Sequence, residues 1–117
     1  MKWTKKHILS IKEFTRDEID FVLEKSAVME GLLSKKKSSS LINGRILASL
    51  FFEPSTRTRL SFNAAMERLG GSVIEVNGID ASSVWKGETI ADTIRMAAAY
   101  ADLIVIRNPY EGSARLA

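Results

Sequence analysis

The 117-residue chain is 45% apolar and 26% charged, with 17 basic residues against 14 acidic ones and no cysteine. This is the composition expected of one soluble, cytoplasmic globular domain, too short for two full domains with a cleft between them. It excludes a disulfide scaffold or thiolate metal site, and it holds no apolar run near the ~20 residues of a membrane span.

The net charge of +3 is mild, and much of the excess lies in Lys2, Lys5, Lys6, Lys12 and Arg16 and in the run Lys35-Lys36-Lys37. Nucleic-acid binding would bring more basic residues and interleaved aromatics. Lys35 to Lys37 instead lead into Ser38-Ser39-Ser40, which reads as a solvated connector. The first residues lack the apolar segment of a signal peptide.

Thr15-Arg16-Asp17-Glu18 predicts a helix opening on a capping box, with Thr15 serving the first amides and Glu18 reaching back. Ile19, Val22, Leu23, Ser26 and Met29 continue it at helical spacing, so one face is expected to be apolar through about Leu33. Ile46 to Phe52 is continuously apolar, bounded by Asn43-Gly44 and Pro54, and predicts a strand buried on both faces.

Thr56 to Leu69 predicts a helix with Phe62, Ala65, Met66 and Leu69 inward and Gly70-Gly71 ending it. Val73 to Val76 predicts a second strand, followed by a polar loop from Asn77 to Gly87. Glu88 to Tyr100 predicts another helix, with Ile90, Ile94, Ala97 and Ala101 on one face. Leu103 to Ile106 predicts a third strand, Asn108-Pro109 a turn, and Gly112 to Leu116 the start of a helix. This β-α-β-α-β order after an N-terminal helix predicts an α/β fold: a parallel sheet with right-handed crossovers and helices on both faces. In such sheets ligands gather beyond the carboxyl ends of the strands.

The chemistry-bearing residues follow the strands. Directly after the first comes Glu53-Pro54-Ser55-Thr56-Arg57-Thr58-Arg59, three hydroxyls and two guanidiniums at a strand-to-helix junction. The first turn of a helix offers unpaired amides and partial positive charge, which favour phosphate. Hydroxyls there donate to phosphate oxygens, and a planar guanidinium binds them through paired hydrogen bonds. A capping Ser55 before a solvated first turn explains one hydroxyl. It explains two arginines poorly, because cations are unfavourable at a helix N-terminus.

Arg107 follows the third strand, on the same edge as Arg57. Position alone leaves it open between a solvated strand-end arginine and a ligand, and the convergence favours the ligand. In the Asn77–Gly87 loop, Lys86 on its own terms reads as solvated and Trp85 as packed under the loop. His7 lies far from these residues. No His/Asp/Glu cluster has metal-ligand spacing, no Ser-His pair suggests a nucleophile, and no Gly-x-Gly-x-x-Gly or Walker loop follows a strand.

Phe51 to Phe62, with Ser55-Thr56-Arg57-Thr58-Arg59 at its centre, resembles the carbamoyl-phosphate signature of the carbamoyltransferases. Lys86-Gly87-Glu88-Thr89 with Asp92-Thr93, and Ile106-Arg107-Asn108-Pro109 with Gly112 to Ala117, are similar to the catalytic chains of the aspartate branch. Ornithine carbamoyltransferases share the first motif but typically lack the Lys-Gly-Glu and Arg-x-Pro elements. The resemblance covers essentially the whole chain.

It implies carbamoyl transfer from carbamoyl phosphate to the α-amino group of L-aspartate, an early step of pyrimidine synthesis, with no metal or organic cofactor. Ser55, Thr56, Arg57 and Thr58 would hold the phosphate, and Thr58 and Arg107 the carbamoyl oxygen. Lys86, with Ser82 or Ser83, would enter the neighbouring subunit's site from a mobile loop, which implies a homotrimer, with or without a regulatory chain. Trp85 departs from the family, where a second lysine often precedes the matching one. The resemblance further implies that 1–117 is an incomplete carbamoyl-phosphate-binding domain. The His and Gln that complete this site, and the arginines of an aspartate-binding domain, are expected beyond Ala117, so these residues alone are expected not to turn over. The alternatives are another carbamoyltransferase, such as an ornithine enzyme, and a non-catalytic phosphate-binding module.

Overall fold

The computed structural model describes residues 2–35, 38–77, 87–108 and 115, with backbone alone for 77 and 87–90. The chain divides into two units, Met1–Lys37 and Ser38–Ala117. Among the described residues no helix is long and apolar enough to cross a membrane.

In the first unit a short 3-10 turn, Ile11–Glu13, precedes helix α1, Arg16–Lys35. The capping box forms as expected: the Thr15 amide donates to Glu18 Oε1 (2.9 Å) and the Glu18 amide to Thr15 Oγ1 (3.2 Å). Glu18 is buried, and the Thr15 amide holds its carboxyl below the usual carboxylate range, helped by Lys5 3.6 Å away. Trp3 stacks on Phe21 and tilts against Phe14, with ring centroids 5.5 and 5.9 Å away. The expected apolar face is only partly covered, since Val22, Leu23 and Val28 are exposed. Within this unit the arm ahead of α1 is short, and its Trp3 reaches Phe21 near the start of the helix.

In the second unit, strands β1 (Ile46–Phe51), β2 (Ser72–Asn77) and β3 (Leu103–Arg107) alternate with helices α2 (Thr56–Arg68) and α3 (Gly87–Tyr100). The sheet is parallel in the order β2-β1-β3, with Phe51 opposite both Asn77 and Arg107. All three carboxyl ends therefore share one edge. β1 is central and buried along nearly its whole length, as its apolar run predicts.

Side chains alternate between the faces of a strand. Ala48, Leu50 and Phe52 pack with Ile94 and Ala97 of α3, and Val76, Ala101, Ile104 and Ile106 pack against that cluster. Ser49 lies opposite Glu75, and Glu75 is gripped by Arg59 and Asn63 of α2. Helices therefore cover both faces, as the β-α-β-α-β order requires. Ile90, expected on the inner side of α3, lies outside the described side chains.

Two expectations change. Of the predicted inward residues of α2, Met66 is buried and Leu69 half-buried, whereas Phe62 is 47% exposed and Ala65 is exposed. The sheet-facing stripe is Arg59, Asn63 and Met66, rotated from the apolar one because Glu75 offers a partner to the polar pair. The serine connector is also not simply solvated. The Ser39 amide donates to Arg68 O (2.6 Å) and the Ile42 amide to Leu69 O (3.0 Å), supplying donors for the carbonyls at the end of α2. Gly70 ends that helix at φ +94°, in the left-handed region glycine favours.

At the opposite edge, Asp102 Oδ2 accepts the Ile46 amide (2.9 Å) and Oδ1 the Arg45 guanidinium (3.3 Å). The Ile46 amide first, and Arg45 in addition, hold the Asp102 carboxyl below its ordinary range.

Candidate functional site

β1 runs out at Phe51, one residue before the sheet's cover ends at buried Phe52, and the chain then turns through Glu53 and Pro54 into α2. The Phe52 amide still donates to Arg107 O (2.8 Å), so pairing with the end of β3 persists to the turn. That contact places the Arg107 side chain beside the Glu53–Thr58 segment. Its Nη1 donates to Ser55 Oγ (2.6 Å) and its Nε to Glu53 Oε1 (2.7 Å).

Ser55 stands at the N-cap of α2, but its hydroxyl makes no capping bond. Its oxygen serves Arg107 instead, which leaves its proton available to an incoming acceptor. The amide of Arg59 bonds Ser55 O (3.0 Å), so the amides of Thr56, Arg57 and Thr58 precede the first backbone bond of this helix turn. Arg57 is exposed and has no hydrogen-bonding or ionic partner among the described residues. Thr56 is exposed and Thr58 half-buried.

The two arginines of the motif thus have different fates. Arg59 Nη1 lies 3.3 Å from Glu75 Oε2, and Asn63 Nδ2 donates to the same oxygen (3.0 Å). Arg59 is part of the helix–sheet contact, and Arg57 is the guanidinium left available at the edge. The structure brings Ser55 and Arg107 together directly and sets Thr56, Arg57 and Thr58 in the adjoining turn. Ser82, Ser83 and Lys86, like Trp85 and the expected turn at Pro109, lie outside the described residues; of the helical start at 112–116 only Arg115 is described.

Sequence reasoning assigned no role to Glu53, Asn63 or Glu75. An acid directly after a buried strand, on the edge where arginines converge, is the signal that could have found Glu53. Asn63 and Glu75 leave no comparable local signal, because their pairing depends on how α2 is rotated.

Chemically, this junction carries three first-turn amides, the hydroxyls of Ser55, Thr56 and Thr58 and the guanidiniums of Arg57 and Arg107, with Arg107 in contact with Ser55 and Glu53. This donor-rich array suits a tetrahedral oxyanion and has no nucleophile–base pair among the described residues. Among the described residues no cluster of three His, Cys, Asp or Glu could hold a metal ion.

Residues 6–117 match the family described as aspartate/ornithine carbamoyltransferase, carbamoyl-P binding domain. The chain is 51% identical over its full length to the aspartate carbamoyltransferase catalytic subunit of Methanosarcina barkeri and 54% identical to that of Methanocella arvoryzae. It covers 38% and 37% of those relatives, so it spans little more than a third of their length. Among solved structures, the catalytic subunit of M. jannaschii aspartate transcarbamoylase superposes with a TM-score of 0.87 at 52% identity, over 96% of this chain and 37% of that one. The Trypanosoma cruzi aspartate transcarbamoylase, solved in complex with carbamoyl phosphate and aspartate, gives 0.82 at 41% identity, over 95% of this chain and 36% of that one. The edge built by Ser55 to Thr58 and Arg107 is therefore that of a known fold, and the chain belongs to the aspartate/ornithine carbamoyltransferase family, matching its carbamoyl-phosphate-binding domain.

Proposed function

We propose that this chain is the carbamoyl-phosphate-binding part of an aspartate carbamoyltransferase catalytic chain. The complete enzyme transfers the carbamoyl group of carbamoyl phosphate to the α-amino group of L-aspartate. The amine nitrogen bonds the carbonyl carbon, the bond from that carbon to the phosphate oxygen breaks, and the amine loses a proton. N-carbamoyl-L-aspartate and phosphate are released. The observation that carries this reading is the 2.6 Å contact between Arg107 and Ser55, which draws the end of β3 onto the amide-rich start of α2.

Ser55, Thr56, Arg57 and Thr58 hold the phosphate, and Arg57 neutralises the charge that grows as phosphate departs. Thr58 and Arg107 face the carbamoyl oxygen and stabilise it as the tetrahedral intermediate forms. Little bond-making falls to the protein, so positioning and fixed positive charge supply most of the rate. No cofactor is required by this scheme. Lys86, with Ser82 or Ser83, completes a neighbouring subunit's site, which makes a cytoplasmic homotrimer the working assembly; the family resemblance of the Lys86-Gly87-Glu88 element supports this. The T. cruzi relative's complex with carbamoyl phosphate and aspartate supports the substrate pair.

A chimera tests the reading: residues 1–117 replace the matched segment of the M. jannaschii catalytic subunit, and carbamoylaspartate formation is assayed. The chimera is expected to use aspartate and not ornithine. Arg57→Ala is expected to lower its kcat by about 100-fold or more, the size seen when a preorganised charge donor is removed. An Arg57→Ala chimera as active as its parent overturns the assignment. The 117-residue polypeptide by itself is expected to form no carbamoylaspartate.

A further inference from the structure

Helix α2 carries the anion site on its first turn, yet its apolar anchor is at the other end. Met66 is its one buried residue, while Leu60 and Phe62 are half exposed. Apolar packing therefore holds the C-terminal half and leaves the rotation of the N-terminal half weakly determined.

What grips that half is polar. Arg59 and Asn63 are four residues apart and so share one face of the helix. Both contact a single oxygen, Glu75 Oε2, at 3.3 and 3.0 Å. Glu75 sits two residues before the end of β2, and its register partner Ser49 is fully buried in β1, so this acceptor is mounted on the sheet itself. Residues 57 and 59 are separated by about 200° around a helix axis. Once Arg59 is tied down onto the sheet, Arg57 must project on nearly the opposite side, where its guanidinium meets no partner among the described residues.

The geometry points to Glu75, acting through Arg59 and Asn63, as the positioning residue that orients the α2 N-terminus and selects Arg57 as the guanidinium offered to the ligand's phosphate. This rests on the anion-site reading given above. Glu75 itself touches no ligand; it sets the turn that does.

Positioning and simple electrostatics predict opposite signs for Glu75→Gln, which makes the inference testable. Removing a negative charge near an anion site strengthens anion binding by Coulomb's law alone. Loosening the grip on α2 weakens it. Inorganic phosphate is titrated into the 117-residue chain at constant ionic strength, with amide shifts of Thr56 to Thr58 followed by NMR and the folded fraction checked by circular dichroism. The parent is expected to bind phosphate in an Arg57-dependent manner. Glu75→Gln is expected to bind about three- to tenfold more weakly, the scale of one net hydrogen bond. Asn63→Ala changes no charge and serves where Glu75→Gln does not fold; it is expected to weaken binding in the same direction. If the parent binds and Arg57→Ala does not, but Glu75→Gln binds as tightly as the parent or tighter, the positioning role is wrong and the site reading stands. If Asn63→Ala binds as the parent does, the role is equally wrong. If the parent shows no Arg57-dependent phosphate binding, the site reading fails and the inference fails with it.

Discussion

Arg107 already has an anion. Its Nε donates to Glu53 at 2.7 Å, on the same guanidinium whose Nη1 holds Ser55. A carboxylate there competes with any ligand oxygen that approaches Arg107. Glu53→Gln is therefore expected to tighten phosphate binding by about three- to tenfold, the net value of one ordinary hydrogen bond, as befits a solvent-exposed pair. Calorimetric titration reads this directly, and weaker binding would show that Glu53 holds Arg107 in place rather than competing for it. The place of Arg107 was legible in the sequence, because an arginine directly after an apolar strand in a parallel sheet must lie on the carboxyl edge. The role of Glu53 was not, since its partner is 54 positions away. Nor could adjacency in the motif tell Arg57 from Arg59. That distinction depends on which side of α2 meets the sheet.

The elements themselves were largely readable. The capping box of α1, the buried run of β1 and the glycine end of α2 all rest on local chemistry, and each appears where its residues predict. The inward face of α2 is not legible from apolarity, because apolarity is not the only reason for a side chain to face a sheet. A Glu on the sheet attracts Arg59 and Asn63 instead and rotates the helix away from Phe62. The contact between Ser39 and the end of α2 was invisible for a related reason, since the helix's unpaired carbonyls seek donors from any segment that folds back. That same fold-back makes Gly70 sensitive. A Cβ there would meet Ser39 O at 2.7 Å, in a backbone conformation with φ +94°. Gly70→Ala is expected to destabilise the second unit by about 1–3 kcal/mol, measured by urea unfolding. Thr15→Ala is expected to remove about 1 kcal/mol from α1 by loss of its cap. An unchanged midpoint in either case would contradict these local accounts.

Acid acts on each unit through a carboxylate of its own. Glu18 and Asp102 both titrate below their ordinary range when folded, each chiefly because a backbone amide donates to it, from Thr15 and Ile46 respectively. A carboxyl with a depressed folded pKa contributes stability above its unfolded pKa and loses it as pH falls through the folded value. Stability is therefore expected to be flat near neutrality and to decline below the usual carboxylate range. Asp102→Asn should flatten that decline in the second unit and Glu18→Gln in the first, read from amide signals at low pH. At this scale the family and the parallel sheet were legible from motifs and strand order. What the described residues add is the contact that joins the edge, Arg107 reaching Ser55 across the sheet, and the proposal is that this edge holds carbamoyl phosphate. The most direct test of that claim is a carbamoyl phosphate titration of the parent, Arg57→Ala and Arg107→Ala chains, followed residue by residue by NMR. Shifts centred on Ser55 to Thr58 and Arg107 in the parent, and lost in both variants, are the predicted result. Shifts centred elsewhere, or undiminished in either variant, would contradict it.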